Sequence, residues 1–347
     1  MLLISNLLFW LLQGPRLYFA NLYAQRRRPS LQTPLDVTIL QPILGGDPLL
    51  RSCLERNATQ NPQAKFLWLV DNDDQIGQQA AHQAKQPNVE IIQGPGPQQG
   101  ENPKLAKLIR ALPHVTTKHL VVLDDDTILS TKSLNTLCAH LELDKGLVTG
   151  LPVFNTNNTF WEKLLGGFIN GNAYTTYFPI AALGQPQTIN GMIYALDTAQ
   201  LNQLGGFQAA GHSLTDDYAM ALLYRRAHLP ITQANAEVQV EISVEDAAHF
   251  ASLMRRWMIF ANHFFQHNRG FAPLLIAGLP AFLPLLYLSL MSHFIYCLIL
   301  RHRADPIFHF LASLTVPFFF LSALILPNQL SWRTRNIRLN KGAIHYR

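Results

Sequence analysis

The feature that most constrains the fold is a series of short apolar runs separated by helix-like segments. The apolar runs lie at 36–44, 65–70, 89–93 and 120–123. Short runs rich in branched residues are typical of buried strands. Helical patterns occupy 48–59, 76–85 and 103–112. Because strands alternate with helices, the sequence predicts an α/β fold with a mostly parallel, doubly wound sheet.

Two of the predicted strands end on clusters of carboxylates. Asp71 follows the second strand, and Asp124, Asp125 and Asp126 follow the fourth without a spacer. Ligands bind at the carboxyl ends of strands in open α/β sheets, and adjacent anions repel one another unless a cation or donors lie among them. The triplet therefore predicts a site in which Asp124 and Asp126 hold a divalent ion against a diphosphate. The alternative is an acidic turn exposed to solvent.

The composition predicts contact with a membrane. Charged residues make up 14% of the chain and hydrophobic residues 48%, whereas a soluble chain carries about 25% charged residues. Two apolar segments, 271–300 and 307–326, are predicted to span the membrane. If both do, Arg301 and Arg303 lie in an outside loop, against the positive-inside tendency. A re-entrant or interfacial first segment would remove that conflict.

The apolar and basic segments define the predicted domains. Residues 1–28 are a short apolar anchor or interfacial segment, 36–260 the catalytic domain, 271–327 the membrane segments and 328–347 a basic tail. The basic residues at 26–28 and from Arg333 onward are interpreted as cytoplasmic anchors beside anionic lipid. They predict an integral membrane protein with its catalytic domain on the cytoplasmic face, as in a bacterial inner membrane. No aromatic-basic array accompanies them, which disfavours a nucleic-acid partner.

Several motifs occur in an order that resembles one family. They are QPILGGDP at 41–48, LVDNDD at 69–74, GENPKLAKL at 100–108, LDDDT at 123–127, GLVTGLP at 146–152, TDDYAMA at 215–221, MRRW at 254–257 and SWRTRNIRL at 331–339. The chain resembles the ceramide glucosyltransferases of glycosyltransferase family 21, relatives of the family 2 inverting enzymes. The last motif separates this family from other family 2 members. The resemblance implies a GT-A type nucleotide-sugar domain followed by membrane helices.

The resemblance also implies roles at the donor site. Asp126 would hold the metal, and Asp124 would lie near the metal or the ribose. Oxygen ligands suit Mg²⁺ or Mn²⁺. The residues expected near the UDP-sugar donor are Pro42, Asp71, Lys104, Asp124, Gly191 and Asp216, with Asp71 towards the uracil or ribose. For Gly191, an ordinary turn glycine is an equally valid interpretation.

Two further motifs match catalytic positions. Inverting transfer needs a base to take the acceptor hydroxyl proton, and Asp217 matches that base. Asp216 precedes it, where the family more often has Glu. The alternative, a helix N-cap at Thr215 or Asp216, is compatible with a catalytic role.

The family's Gln/Arg-x-x-Arg-Trp motif appears here as residues 253–257. Arg256 would pair with the departing diphosphate, and Trp257 would line the acceptor site. Leu253 departs from the motif, and Arg255 is the candidate substitute for the missing polar group. The alternative is a basic-aromatic helix at a membrane interface.

Together these features predict a membrane-bound inverting glycosyltransferase. It would move a hexose, glucose by resemblance, from a UDP-sugar to the hydroxyl of a membrane lipid, ceramide by resemblance. A hopanoid, a diacylglycerol or a polyprenyl phosphate are alternative acceptors. A haloacid-dehalogenase-type phosphatase is disfavoured, because at least three strands precede the acidic motif and Ile128 replaces its Thr or Val. A non-catalytic nucleotide-sugar-binding protein is a remote alternative, supported by Leu253 alone.

Overall fold

The computed structural model describes most of the chain as helices and strands. The described residues are 2–26, 29, 31, 35–155, 159–184, 186–211, 213, 215–267, 290–301, 303–326, 329–333, 335–340 and 343–346. In chain order the elements are α1 (Leu2–Ala24), β1 (Val37–Pro42), α2 (Leu50–Gln60), β2 (Lys65–Asp71), α3 (Gln75–Ala84), β3 (Val89–Gly94), α4 (Pro103–Ala111), β4 (His119–Leu123), β5 (Thr127–Ile128), α5 (Thr131–Asp144), β6 (Leu147–Phe154), α6 (Phe160–Ala182), β7 (Ile193–Asp197), α7 (Thr198–Gln203), α8 (Asp216–Arg226), β8 (Ile231–Val240), α9 (Ala247–His267), α10 (Leu290–Ile299), α11 (Pro306–Ile325), β9 (Gln329–Trp332), β10 (Arg335–Asn340) and β11 (Ala343–Tyr346).

The chain divides into two compact units, each built from separate stretches of sequence. The sheet unit comprises residues 27–152, 186–243 and 329–347, and the helical unit comprises 1–26, 153–185 and 244–328. The predicted domains were contiguous stretches, so this division differs from them. In particular, α6 groups with the helices although it lies within the predicted catalytic domain.

The sheet unit contains an eight-stranded mixed sheet in the order β3-β2-β1-β4-β7-β6-β8-β5. Strands β3, β2, β1 and β4 are parallel neighbours, as predicted. Strand β7 is antiparallel to both β4 and β6, and β5 is antiparallel to β8. Strands β2 and β4 are buried along nearly their whole length, because parallel strands between helical layers have no solvent face.

The register of the parallel strands brings their carboxyl ends to one edge of the sheet. Leu40 of β1 pairs with Val122 of β4, and Pro42 at the end of β1 pairs with Leu69 of β2. The acidic residues after β2 and β4 therefore project from the same edge. This is the edge at which α/β sheets bind ligands.

The helical unit depends on close approach between α6 and α11. A Cβ atom built on Gly167 would lie 2.5 Å from the backbone of Phe308, and one built on Gly171 would overlap the His309 ring. Larger side chains at these two positions would separate the helices. Small residues at a helix–helix contact allow the backbones to approach in this way.

Helix α1 continues through the segment 13–16, which interrupts the apolar pattern in the sequence. The Arg16 side chain is buried. Its Nε donates to the Thr175 carbonyl at 3.0 Å and its Nη1 to Gln13 Oε1 at 2.9 Å. Groups within the helical unit thus satisfy the buried Arg16 side chain, and the helix continues across a segment that interrupts the apolar pattern of the sequence.

Among the described residues, one helix, α11, is long and apolar enough to cross a membrane. The predicted first membrane segment falls largely on residues 268–289, outside those described, and its described end forms the ten-residue helix α10. The predicted C-terminal tail instead forms a three-stranded antiparallel sheet of β9, β10 and β11.

Candidate active site

A buried lysine brings together two acidic segments at the carboxyl edge of the sheet. The Lys104 Nζ lies 2.7 Å from Asp124 Oδ1 and 3.0 Å from Asp216 Oδ2, and donates to the Gly191 carbonyl at 2.6 Å. Burial alone would lower the pKa of Lys104, but Asp124 and Asp216 outweigh it and hold that pKa above its ordinary value. The lysine is therefore a fixed positive charge that joins the loop after β4 to the start of α8.

Local sequence places Lys104 at this edge. Asn102 caps α4, because its side chain accepts from the backbone N–H groups of Lys104 and Leu105. Pro103 occupies the first helical position, where its missing N–H costs nothing. The Asn-Pro-Lys sequence thus begins a helix and presents the lysine on its first turn.

A second cation, from the far end of the chain, neutralises the rest of the acidic triplet. The Arg333 guanidinium binds both oxygens of Asp125, at 2.7 and 3.0 Å, and reaches Asp126 Oδ2 at 3.3 Å. It also donates to the Leu44 carbonyl. The Leu44 N–H donates to Asp125 at 2.8 Å. Asp125 therefore faces Arg333 and the loop after β1.

Asp124 and Asp126 keep partly exposed carboxylates. Their side chains are 30% and 18% exposed, whereas that of Asp125 is 8% exposed. Burial raises the pKa of Asp126 to about 7 despite the opposing effect of Arg333, and neighbouring carboxylates add to that rise. The two carboxylates of the predicted metal site are thus the accessible members of the triplet.

Asp71 is the most deeply buried acidic residue of the site, with 1% exposure. Lys107 Nζ lies 3.2 Å from one of its oxygens and Arg110 Nη2 lies 3.3 Å from the other. Lys107 also donates to the Ile43 carbonyl at 2.5 Å. These contacts tie α4 to the ends of β1 and β2, next to Pro42.

Asp216 and Asp217 lie in the first turn of α8, where anions are stabilised by the helix dipole. Asp216 is buried and accepts from the Tyr194 hydroxyl at 3.3 Å. Asp217 is half-buried, and burial together with Asp216 raises its pKa to about 7. Thr215 makes no side-chain cap, so the capping alternative receives no support from that residue.

Gly191 lies against the Asp217 carboxylate. A Cβ atom at Gly191 would lie 3.2 Å from Asp217 Oδ2. That distance is tighter than an ordinary contact, so any larger residue would displace the carboxylate. The glycine therefore leaves room for Asp217 as well as supplying the carbonyl that Lys104 binds.

The remaining predicted residues lie on α9, in the helical unit. Trp257 stacks on Phe168, with ring centroids 5.9 Å apart and an interplanar angle of 16°. Arg255 and Arg256 are partly exposed, and Leu253 is buried. Leu253, at the position where the family motif has Gln or Arg, is thus a buried packing residue of α9. The site assembled above belongs to the sheet unit alone.

The family model for glycosyl transferase family 21 matches residues 6–311. The chain belongs to this family. No curated protein matches the sequence. The family 21 assignment agrees with the resemblance inferred from the motifs.

A solved structure shows the fold of this family 21 chain. A mannosyltransferase from Pyrobaculum calidifontis, solved with GDP-Man and Mn²⁺, has 15% sequence identity and a TM-score of 0.60, covering 94% of this chain and 98% of that one. Glucosyl-3-phosphoglycerate synthase from Mycobacterium tuberculosis, solved with Mn²⁺, UDP and phosphoglyceric acid, has 12% identity and a TM-score of 0.41, covering 64% of this chain and 76% of that one. The first likeness supports the predicted GT-A type α/β fold.

The donor atoms at the carboxyl edge fit a divalent cation bound jointly with a diphosphate. No group of three or more His, Cys, Asp or Glu side chains is arranged to hold a metal ion in the part of the chain that the structure describes. Mg²⁺ sites in nucleotide enzymes, however, commonly use one or two carboxylates, with phosphates and water completing the shell. Asp124 and Asp126 supply two accessible carboxylates of this kind.

The sequence analysis missed three basic residues of the site. Lys107 and Arg110 lie one and two turns after Lys104 on α4, so helical spacing was a usable signal for them. Arg333 lies in the SWRTRNIRL motif but was assigned to a lipid-facing tail. The structure corrects that assignment, because the Arg333 side chain is 16% exposed and paired with the acidic triplet.

Proposed function

We propose that this family 21 glycosyltransferase moves a hexose, glucose, from a UDP-sugar to the hydroxyl of a ceramide-like membrane lipid, with inversion. The observation that carries the proposal is the meeting of two acidic segments on one buried lysine at the ligand-binding edge. One segment holds Asp124 and Asp126, and the other holds Asp217. An inverting transfer needs a group that stabilises the leaving diphosphate and a base for the acceptor, and these two segments supply candidates for both.

On the donor side, Asp124 and Asp126 would hold Mg²⁺ or Mn²⁺. When bound, such an ion stabilises the negative charge that develops on the departing diphosphate. The presence of Mn²⁺ in the P. calidifontis mannosyltransferase supports this assignment. The residues proposed to contact the nucleotide or sugar are Pro42, Asp71, Lys104, Gly191 and Asp216, all at the carboxyl edge or on its loops.

On the acceptor side, Asp217 is the proposed base. Its Oδ1 accepts from the Tyr218 N–H at 2.7 Å, which orients the carboxylate. A base works best when its pKa lies near the working pH, and burial brings the pKa of Asp217 to about 7. Arg256 is proposed to bind the leaving diphosphate, with Arg255 as a second cation, and Trp257 to form an acceptor-site wall.

A lipid acceptor is supported by the apolar surface of the helical unit. Only 33% of the most apolar window of α11 is buried, whereas a core helix of a soluble protein is mostly buried. Phe318 and Ile325 of that helix are 73% and 77% exposed, and Leu3 of α1 is 83% exposed. Exposed apolar surface of this kind is typical of membrane contact. We propose an integral membrane protein whose catalytic domain faces the cytoplasm.

The proposal is tested by incubating membranes that contain the protein with radiolabelled UDP-sugars and lipid acceptors, with and without EDTA. We expect labelled glycolipid from UDP-glucose and ceramide, and loss of product when EDTA removes the divalent ion. If product formed with a hopanoid, a diacylglycerol or a polyprenyl phosphate and not with ceramide, the proposed acceptor would be wrong and the proposed sugar transfer would stand. The absence of product from every UDP-sugar, with Mn²⁺ or Mg²⁺ supplied, would contradict the proposal.

The proposed base also predicts a pH dependence. Asp217 must be deprotonated to accept a proton, and burial raises its pKa to about 7. Transfer, measured as kcat/KM for the acceptor, should therefore fall on the acid side of that pKa, by about tenfold per pH unit. A profile that stays flat down to about pH 5, near an ordinary carboxyl pKa, would remove Asp217 from this role.

A further inference from the structure

Arg333 joins three segments of the sheet unit that are distant in sequence. It lies in the turn between β9 and β10, where its φ of 49° is unusual for a residue other than glycine. Its guanidinium contacts the Leu44 carbonyl, Asp125 and Asp126. The C-terminal sheet therefore reaches the loop after β1 and the acidic loop after β4 through one side chain.

The two internal cations divide the acidic triplet between them. Lys104 neutralises Asp124, and Arg333 neutralises Asp125 and Asp126. Without these charges, three adjacent carboxylates in a mostly buried loop would repel one another strongly. Each cation thus offsets the mutual repulsion of the carboxylates in this loop.

The contacts of Arg333 with its two carboxylates differ in kind. Asp125 receives a two-pronged contact at 2.7 and 3.0 Å and is 8% exposed. Asp126 receives a single contact at 3.3 Å and is 18% exposed. Paired contacts of a guanidinium with a carboxylate are the stronger and more directional ones. Asp125 is therefore the anchor of Arg333, and Asp126 is the carboxylate that can exchange its partner.

We propose that Arg333 is a positioning residue that serves as the resident counter-cation of Asp126 and gives this carboxylate up to the divalent ion. Its contact with Asp125 persists through the exchange and keeps the acidic loop in place. The inference rests on the proposed metal-dependent function. It makes the C-terminal sheet a part of the donor site, whereas the sequence analysis placed this segment at the lipid surface.

The test is Mn²⁺ binding to the purified protein without nucleotide, followed by the electron paramagnetic resonance signal of free Mn²⁺. Arg333→Gln removes the competing charge, so it should bind Mn²⁺ about tenfold more tightly than wild type. Arg333→Lys keeps the charge but loses the two-pronged contact with Asp125, so its Mn²⁺ affinity should lie between those of wild type and Arg333→Gln. An Arg333→Gln protein that binds Mn²⁺ no more tightly than wild type would overturn the proposal.

Two further variants serve as controls, one for non-specific charge effects and one for misfolding. Arg338→Gln removes an exposed arginine of the same C-terminal sheet and should leave Mn²⁺ affinity unchanged. The double variant Asp125→Asn/Arg333→Gln removes both partners of the stronger ion pair, so it carries the test if the single variant does not fold. Its affinity should lie between those of Arg333→Gln and wild type, and an affinity at or below wild type would contradict the exchange.

The binding measurement separates this inference from the proposed function. A tenfold change in Mn²⁺ affinity in a protein that transfers no sugar would support the role of Arg333 and reject the function. If wild type transfers sugar but Arg333→Gln binds Mn²⁺ with unchanged affinity, the proposed role of Arg333 is rejected and the proposed function stands.

Discussion

Replacing Asp217 by Asn is expected to abolish sugar transfer while leaving the UDP-sugar bound. The amide has the size of the carboxylate but cannot take the acceptor proton, and a positioned base contributes about 10²- to 10⁴-fold to rate. Because Asp124 and Asp216 hold the Lys104 ammonium at 2.7 and 3.0 Å, their contacts with Lys104 should survive the substitution. Transfer rates and equilibrium binding of UDP-sugar, measured on the same preparation, would check both halves of this prediction.

The matched control for that substitution is Glu55→Gln. Glu55 is an exposed carboxylate on α2 of the same unit, so its replacement should leave transfer near the wild-type rate. Undiminished transfer in Asp217→Asn would remove this residue as the base. Loss of UDP-sugar binding in the same variant would reassign it to the donor site.

Replacing Lys104 by Met is expected to destabilise the protein as well as to abolish transfer. The substitution leaves Asp124 and Asp216 without their shared cation in a buried site, and breaking a buried pair in this way costs about 3–5 kcal/mol. For a unit of this size, that loss corresponds to a fall in Tm of about 10 °C. Thermal unfolding in detergent, followed by intrinsic fluorescence, measures it.

Two companion variants decide whether the charge is the cause. Lys65→Met breaks an exposed pair with Glu90, in which the two side chains are 39% and 48% exposed, and should change the stability by less than about 1 kcal/mol. Lys104→Met/Asp216→Asn removes one stranded carboxylate and should recover part of the lost stability. Such recovery would show that the stranded carboxylate, and not lost packing, causes the fall in stability. Equal falls in Tm for Lys104→Met and Lys65→Met would contradict the buried clamp.

The parallel half of the sheet could be predicted from the sequence, because each of its strands is a short apolar run next to a helical pattern. The run 120–123 and the carboxylates after it placed the site at the sheet edge, and the structure has β4 at His119–Leu123. Strands β6 to β8 were not predicted. Strand β8 mixes buried and partly exposed positions, and its polar sequence gives a weak strand signal.

Long-range pairing limited the prediction of the site. Lys104 was recognised from its motif, but its contact with Asp216 depends on how α8 follows β7, which no local pattern encodes. Arg333 is 208 residues from Asp125, and a basic residue after an apolar helix also fits a lipid anchor. A helix through Gly14 and Pro15 was equally hard to infer, because partners on α6 satisfy Arg16 there.

The anomeric configuration of the product tests the central claim most directly. The purified protein would be given a UDP-hexose with an α linkage, ceramide and Mn²⁺, and the anomeric proton coupling of the isolated glycolipid would be measured by NMR. Direct attack by a lipid hydroxyl activated at Asp217 predicts a β-linked product. An α-linked product would contradict the account, because retention requires a different arrangement of catalytic groups from the single base proposed here.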